Sequence, residues 1–247
     1  MKNIKKIYVA IALVLGTLSF SSCDDPNTKA ILDALGLTQT DAAEGLKQAL
    51  NVGTDTSVKI LSKLDGYYKD QIVKILLPPE AAPMFTNIAK IPGGQQLIEN
   101  TILSINRAAE DAAIEATPIF KDAILNISFA DALSILNGND TAATSYLNTN
   151  TNEELTVVFE PKIKSSLSKP LVGNTSAESA YTSMINTYND ASLNGVLFPK
   201  ITQNTLSKYV TEKALKGLFH KVGVEEQKIR NDVSHQVSEV LKKTFAK

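Results

Sequence analysis

The feature that most constrains the fold of this chain is its helical periodicity. Apolar residues recur at spacings of three and four, and no stretch keeps the apolar–polar alternation that is typical of strands. The longest periodic stretch, residues 95–116, places its apolar residues on one face, namely Ile98, Ile102, Ile105, Ala109, Ala112 and Ala116. We predict that it is the central helix of a bundle, with Asn106, Glu110 and Asp111 on its opposite side.

Signals for the starts of helices recur along the chain. Ser128 with Asp131, and Thr151 with Glu154, have the spacing of a capping box, in which side chains bond the free amides of a first helical turn. Ser176 precedes a further helical run.

Two apolar stripes near the C-terminus are typical of packing faces. The first consists of Leu206, Val210, Ala214, Leu215 and Leu218, and the second of Ile229, Val233, Val237, Val240 and Leu241. The sequence therefore predicts an all-α fold, an irregular multi-helix bundle that follows a cleaved signal peptide.

The first 22 residues have the layout of a secretory signal. A basic segment, residues 1–6, precedes an apolar run at residues 7–20, which is too short to span a bilayer of ~30 Å as a lasting helix. The small residues before Cys23 resemble a lipobox, although Phe20 stands where leucine is usual. We predict that Cys23, the single cysteine of the chain, is lipidated after cleavage.

These signals divide the chain into three parts: a lipoprotein signal peptide at residues 1–22, a tether at 23–37 and a single all-helical domain at 38–247. The predicted location is the cell envelope of a Gram-negative bacterium, with the protein held in a membrane by its lipid anchor. The outer membrane, facing the periplasm or the cell surface, and the inner membrane are alternatives that the acidic pair after Cys23 leaves open.

Charge excludes one class of partner. Removal of residues 1–22 takes away three lysines and leaves 22 basic side chains against 26 acidic ones, a net charge of −4. A mildly acidic surface repels phosphate backbones, so we expect no nucleic-acid partner. The expected partners are the membrane, through the anchor, and an envelope protein or small ligand.

Signatures of the common enzyme classes are missing from the sequence. The chain has no G-x-S-x-G or P-loop motif, no H-E-x-x-H motif, and two histidines, His220 and His235. We therefore predict neither a metal site nor a cofactor, and no catalytic residue is assigned.

The most suggestive polar residues surround the only two arginines. Arg107 lies three and four residues before Glu110 and Asp111, and Arg230 lies five and four residues after Glu225 and Glu226. Helix bundles can bind a polar ligand or a metal with such inward carboxylates and arginines. The alternative is a network of ion pairs that fixes the register of the helices.

A modification signal lies at residues 140–142, Asp-Thr-Ala. The sequence resembles the acceptor of O-glycosylation in some exported bacterial proteins, which would modify Thr141. The alternative is that Asp140 and Thr141 cap the start of a helix.

Several motifs, which occur in the same order along the chain, resemble one protein family. They include residues 41–50, 106–110, 118–124, 209–219 and 225–230, which respectively read DAAEGLKQAL, NRAAE, PIFKDAI, YVTEKALKGLF and EEQKIR. Together they are similar to the bacterial exported family catalogued as domain of unknown function four-one-nine-seven, over about residues 38–246. The resemblance implies an all-helical envelope protein and implies no activity, substrate or catalytic residue.

The leading hypothesis is a membrane-anchored envelope lipoprotein whose helical domain binds a partner and catalyses no reaction. Two alternatives stay open. One is an envelope enzyme, such as a hydrolase that uses the carboxylates beside Arg107. The other is a carrier of a hydrophobic ligand, which requires an apolar cavity between helices.

Overall fold

The computed structural model describes residues 38–88, 92–172, 175–193, 195–197, 199–202, 205–236 and 239–245. The predicted signal peptide, Cys23 and the tether lie outside these residues. Nine α-helices lie in the described part, which confirms the predicted all-α fold. They are α1 Gln39–Leu61, α2 Ala82–Ile88, α3 Gly94–Ala113, α4 Ala116–Leu125, α5 Phe129–Leu136, α6 Ala142–Leu167, α7 Ala177–Ala191, α8 Leu206–Asn231 and α9 Glu239–Thr244.

Shorter elements connect some of these helices. A 3-10 turn, Pro79–Ala81, precedes α2, and another, Val233–His235, follows α8. A hairpin of two antiparallel strands, β1 Pro170–Val172 and β2 Thr175–Ser176, joins α6 to α7. Each helix among the described residues is too short or too polar to cross a membrane.

The centre of the bundle is formed by α3, α6 and α8, which pack against one another. The C-terminal half of α3 is fully buried at its alanines, which include Ala108, Ala109 and Ala112. Because alanine has so short a side chain, α6 can lie close to the backbone of α3. The prediction that α3 is a central helix is therefore confirmed.

The capping signals have different outcomes. Ser128 and Ser176 are the N-caps of α5 and α7, and each hydroxyl accepts a hydrogen bond from a backbone N–H three residues ahead. The predicted start at Thr151 is wrong, because this residue lies in the middle of α6. Its buried hydroxyl donates to the carbonyl oxygen of Leu147 at 2.7 Å, so the side chain is satisfied without ending a helix.

The two C-terminal stripes also differ. The first is wholly buried along α8, from Leu206 to Leu218. The prediction that the second stripe runs along one continuous helix is wrong, because α8 ends at Asn231 and Val233 is exposed. Asp232 adopts an extended conformation and its carboxylate accepts from the N–H of Ser234 at 2.9 Å, which turns the chain out of the helix.

Residues 62–78 form a long connection after α1 that lies against α3 and α8. Tyr67 is fully buried there, and its hydroxyl donates to the carbonyl oxygen of Ala214 in α8 at 2.8 Å. A Cβ atom at Gly217 would lie 2.9 Å from the ring of Tyr67, so glycine permits this close approach. We call residues 62–78 the α1–α2 segment.

Candidate functional site

The first arginine, Arg107, joins α3 to the α1–α2 segment. Its Nη1 lies 2.5 Å from Oε2 of Glu110, and its Nη2 lies 2.6 Å from Oδ1 of Asp65. Asp65 also pairs with Lys69 at 2.8 Å. The hydrogen bond from Lys69, and to a smaller extent that from Arg107, lowers the pKa of the Asp65 carboxyl. We call Asp65, Arg107 and Glu110 the loop cluster.

Glu110 connects this cluster to the backbone of the α1–α2 segment. Its Oε1 accepts hydrogen bonds from the N–H groups of Tyr67 and Tyr68, at 3.1 and 3.2 Å. One turn earlier, the side-chain amide of Asn106 accepts from the N–H of Ile75 at 2.9 Å and donates to its carbonyl oxygen at 2.8 Å. Burial and the charge of Glu110 raise the pKa of Tyr67.

Two of the residues on the predicted opposite side of α3 lie in the interior. Asn106 and Glu110 are 0% and 4% exposed, because the α1–α2 segment covers them. Their polar groups are satisfied by the backbone of that segment, which explains how polar residues are tolerated in the interior.

Asp111 does not join the loop cluster. Its Oδ2 accepts from the hydroxyl of Ser166 at 2.9 Å and lies 3.4 Å from Nζ of Lys169. Consecutive residues of an α-helix point about 100° apart, so Glu110 and Asp111 lie on either flank of Arg107. The three residues therefore share one face of α3, as their spacing predicts, but they bond to different partners.

The second arginine, Arg230, forms a buried pair with Glu226 in α8. Its Nε donates to Oε1 of Glu226 at 2.9 Å, and the two residues are 8% and 7% exposed. Arg230 Nη2 also donates to the carbonyl oxygen of Ile135 at 2.9 Å, and Nη1 donates to that of Leu136 at 3.4 Å. These carbonyls belong to the C-terminal turn of α5.

Glu226 in turn caps the start of α6. Its Oε1 accepts from the N–H of Ala143 at 3.0 Å, and its Oε2 accepts from the N–H and hydroxyl of Thr144 at 2.8 and 2.7 Å. A carboxylate at a helix N-terminus and a guanidinium at a helix C-terminus both complement the helix dipole and the free backbone groups there. We call Glu226 and Arg230 the helix-end cluster.

Glu225 belongs to neither cluster, since its Oε1 pairs with Nζ of Lys228 at 2.7 Å. Arg107 and Arg230 have no partner in common among the described residues. The structure thus brings together four of the six predicted residues as two separate pairs, Arg107 with Glu110 and Glu226 with Arg230.

The cavity that Glu226 and Arg230 help to line is small, and neither cluster belongs to a metal-binding group among the described residues. Beside the helix-end cluster lies an apolar cavity of about 20 Å³, lined by residues that include Leu46, Gly53, Ile229 and Phe245. That volume holds about one water molecule. Across the residues that the structure describes, no three histidine, cysteine, aspartate or glutamate side chains lie close enough to hold a metal ion.

The predicted glycosylation residue, Thr141, stands directly before α6. It is half-buried, and its hydroxyl donates to Oδ1 of Asn139 at 3.1 Å without capping the helix. Thr141 occupies the N-cap position of α6, as the alternative predicted, but its side chain does not cap the first turn, whose N–H groups bond Glu226 instead. The modification itself stays a prediction.

A concave surface that the sequence did not predict lies beside α8. A groove of about 330 Å³ lies between residues 72–76 and α8, where its lining includes Tyr209, Lys213, Lys216 and His220. We call it the α8 groove. Its basic residues recur at spacings of three and four on α8, away from the buried stripe, which is the signal that could have revealed one wall.

A second concavity, of about 290 Å³, lies on the other flank of Lys216. Asn148 and Asn152 of α6 and Glu212 and Phe219 of α8 are among the residues that line it. The exposed side of α8 therefore separates two open surfaces of different charge.

Comparison with known proteins assigns the chain to a family. The family described as "Protein of unknown function (DUF4197)" matches residues 36–246, which confirms the resemblance seen in the sequence motifs. No curated protein and no solved structure matches the chain. Since the family match covers most of the 247 residues, the protein belongs to the DUF4197 family.

Proposed function

We propose that the protein is a lipid-anchored lipoprotein of the Gram-negative cell envelope whose helical domain binds a partner and is not an enzyme. One contrast supports the binding role. The candidate charged residues of the two clusters are bonded to other parts of the same chain, whereas the α8 groove is open to solvent and lined by lysines.

The proposal assigns the two clusters a structural role. A catalytic carboxylate has to reach a substrate, but the oxygens of Glu226 accept from Ala143, Thr144 and Arg230. Glu110 likewise accepts from Tyr67, Tyr68 and Arg107. These bonds favour a register-fixing network over the hydrolase alternative. The apolar cavity of about 20 Å³ is too small to support a carrier of hydrophobic ligands.

The anchor follows from the sequence of the leader. A basic segment, a short apolar run and small residues precede Cys23, and acyl chains on its thiol and amine attach a protein to a bilayer lastingly, at about 0.8 kcal/mol per buried CH₂. The binding domain then works at a membrane surface of the envelope.

The anchor is tested by replacing its thiol. In cells fed an alkyne-tagged fatty acid, the full-length protein is expected to be labelled and to sediment with membranes. Cys23→Ala should lose the label and appear in the soluble fraction, whereas the matched control Ser22→Ala should behave as the unchanged protein. Labelling that survives Cys23→Ala, or membrane attachment without any label, would contradict the anchor.

The binding role is tested by photo-crosslinking in intact cells. A photoreactive amino acid at position 72, which lines the α8 groove and is exposed, is expected to give a discrete adduct on irradiation. The same group at Lys162, an exposed position that pairs with Glu115 and lines neither groove, serves as the control. Equal adducts at both positions, or none at 72, would contradict a partner at this surface.

A further inference from the structure

We infer that the α8 groove binds a short extended peptide bearing carboxylates, which adds as a strand alongside residues 74–76. The inference rests on the proposed binding role and goes further, because it specifies the class of partner and the way in which it is held. Its basis is an unpaired stretch of backbone beside a cluster of lysines.

The chain leaves a turn and runs on without helix or turn through residues 74–76. In the turn, the N–H groups of Ile72 and Val73 donate to Oδ1 of Asp70, and the N–H of Lys74 donates to its carbonyl oxygen. Beyond it Ile75 is buried and Leu76 is exposed, as successive residues of an extended chain against a core are. The N–H and C=O of Ile75 are both bonded to Asn106 of α3, which occupies one side of this segment.

The other side of the segment has free hydrogen-bonding groups. Among the described residues, the N–H and C=O of Leu76 and the C=O of Lys74 have no hydrogen-bond partner. In an extended chain the peptide groups of neighbouring residues point in opposite directions, so these groups point away from Asn106. The α8 groove is lined by this segment and by α8, with no residue of α3, and therefore lies on the same side as the free groups.

A peptide strand could use all three groups. Leu76 can exchange two hydrogen bonds with one residue of a bound strand, donating through its N–H and accepting through its C=O, and Lys74 can accept a third. Pro78 and Pro79 have no N–H and end the edge, so the added strand is short.

The charges of the groove specify the side chains of the peptide. Lys74, Lys213 and Lys216 line the groove and form no ion pair among the described residues. Lys74 and Lys213 instead lie over the rings of Tyr68 and Tyr209, at 4.3 and 5.4 Å from the ring centres. Three uncompensated cations on an otherwise acidic protein favour carboxylates.

The nearby acidic residues form no ion pair with these lysines among the described residues. Asp70 is paired with Lys221, and Glu212 lines the second concavity together with Lys216. Glu80 is close enough for its charge, after burial, to raise the pKa of Tyr209 in the groove. Ile72 and Leu76, which are 72% and 58% exposed, add apolar surface between the lysines. A strand that alternates acidic and apolar residues matches both features, because its successive side chains point to opposite faces.

The probe is the fluorescently labelled peptide acetyl-Glu-Leu-Glu-Leu-Glu-amide, and its binding to the protein is measured by fluorescence anisotropy. Saturable binding is expected, and Lys216→Glu should weaken it about tenfold or more, equivalent to ~1.4 kcal/mol. Lys208→Glu is the matched control, because it makes the same charge change on an exposed part of α8 outside the groove and should leave the affinity unchanged.

A second probe tests the backbone contacts with the unmodified protein. Two methylated peptides are compared, one methylated at the backbone nitrogens of both leucines and the other at those of the three glutamates. Each loses the N–H donors of one strand edge without a change of charge, and we expect one of the two to bind about tenfold or more weakly. Undiminished binding of both methylated peptides, or a response to Lys208→Glu as large as that to Lys216→Glu, would overturn the inference.

Two other ligand classes serve as competing outcomes. Inorganic phosphate, or vesicles of anionic phosphatidylglycerol, that bind through Lys216 while the peptide fails to bind would also overturn the inference. An adduct at position 72 without peptide binding would refute the peptide while leaving the proposed function intact. Absence of the adduct would refute the proposed function by itself.

Discussion

The loop cluster and the helix-end cluster are built from the same residue types at similar helical spacings, yet they hold different structures. Arg107 is one-third exposed and fastens an irregular segment to α3 through Asp65 and Glu110. Arg230 is buried and, with Glu226, bridges the end of α5 and the start of α6. The contrast teaches that spacing along a helix identifies an ion pair but not what the pair stabilises.

The largest loss of stability is expected in the helix-end cluster, which is the buried one. Glu226→Gln removes the charge that faces Arg230 and weakens the cap of α6, so the unfolding free energy should fall by about 3–5 kcal/mol. Urea denaturation followed by circular dichroism measures this loss. Glu225→Gln, which affects only the pair with Lys228, is the adjacent control and should lose about 1 kcal/mol or less.

A smaller and more local effect is expected at Glu110. Glu110→Gln weakens the bonds to the N–H groups of Tyr67 and Tyr68 and should cost about 1.5–3 kcal/mol. Hydrogen exchange should accelerate in the α1–α2 segment before the rest of the protein responds. Asp111→Asn is the control one residue along, and its exchange should match that of the unchanged protein. Uniform acceleration throughout the bundle would contradict the local role.

Arg107→Lys should have a weaker effect still. Lysine keeps the charge, but it has no planar guanidinium group that can bond Asp65 and Glu110 at the same time. We therefore expect the unfolding free energy to fall by about 1 kcal/mol and the melting temperature to fall with it. A variant with an unchanged melting temperature would show that the fork is unnecessary at this partly exposed site.

Acid should weaken the hold of the α1–α2 segment on α8 through the carboxyl group of Asp70. Partial burial raises the pKa of Asp70, but the hydrogen bonds from Lys221 and the N–H of Ile72 outweigh it, and the pKa is lowered from 3.8. A lowered carboxyl pKa stabilises the folded state above the unfolded pKa, and this stabilisation is lost as the pH falls through the folded value.

Thermal melts between pH 7 and pH 2 test this dependence. Asp70→Asn should cost about 1 kcal/mol at pH 7, and the difference from the unchanged protein should shrink below about pH 4. A difference that is constant over the whole range would contradict the role of the charged carboxylate.

Local patterns predicted the helices and the short-range pairs but not their distant partners. The all-α fold, the buried stripe of α8 and the pairing of Arg107 with Glu110 follow from spacings of three and four residues. Asp65 lies 42 residues before Arg107, and Ala143 lies 83 residues before Glu226, so these contacts depend on how the helices pack.

Two failures of prediction have physical reasons. The start assigned at Thr151 fails because a buried threonine can bond a carbonyl within its own helix. The α8 groove could not be predicted because one wall, residues 72–76, has no helical periodicity and meets α8 only in the folded chain.

A double-mutant cycle on Glu226 and Arg230 tests most directly whether the arginine clusters are structural. Unfolding free energies are measured for Glu226→Gln, for Arg230→Gln and for the double variant. The account predicts that each single variant loses about 3–5 kcal/mol and that the double variant loses less than their sum by up to about 3 kcal/mol, because the second change no longer leaves a buried charge unpaired. Single variants as stable as the unchanged protein, or strictly additive losses, would contradict it.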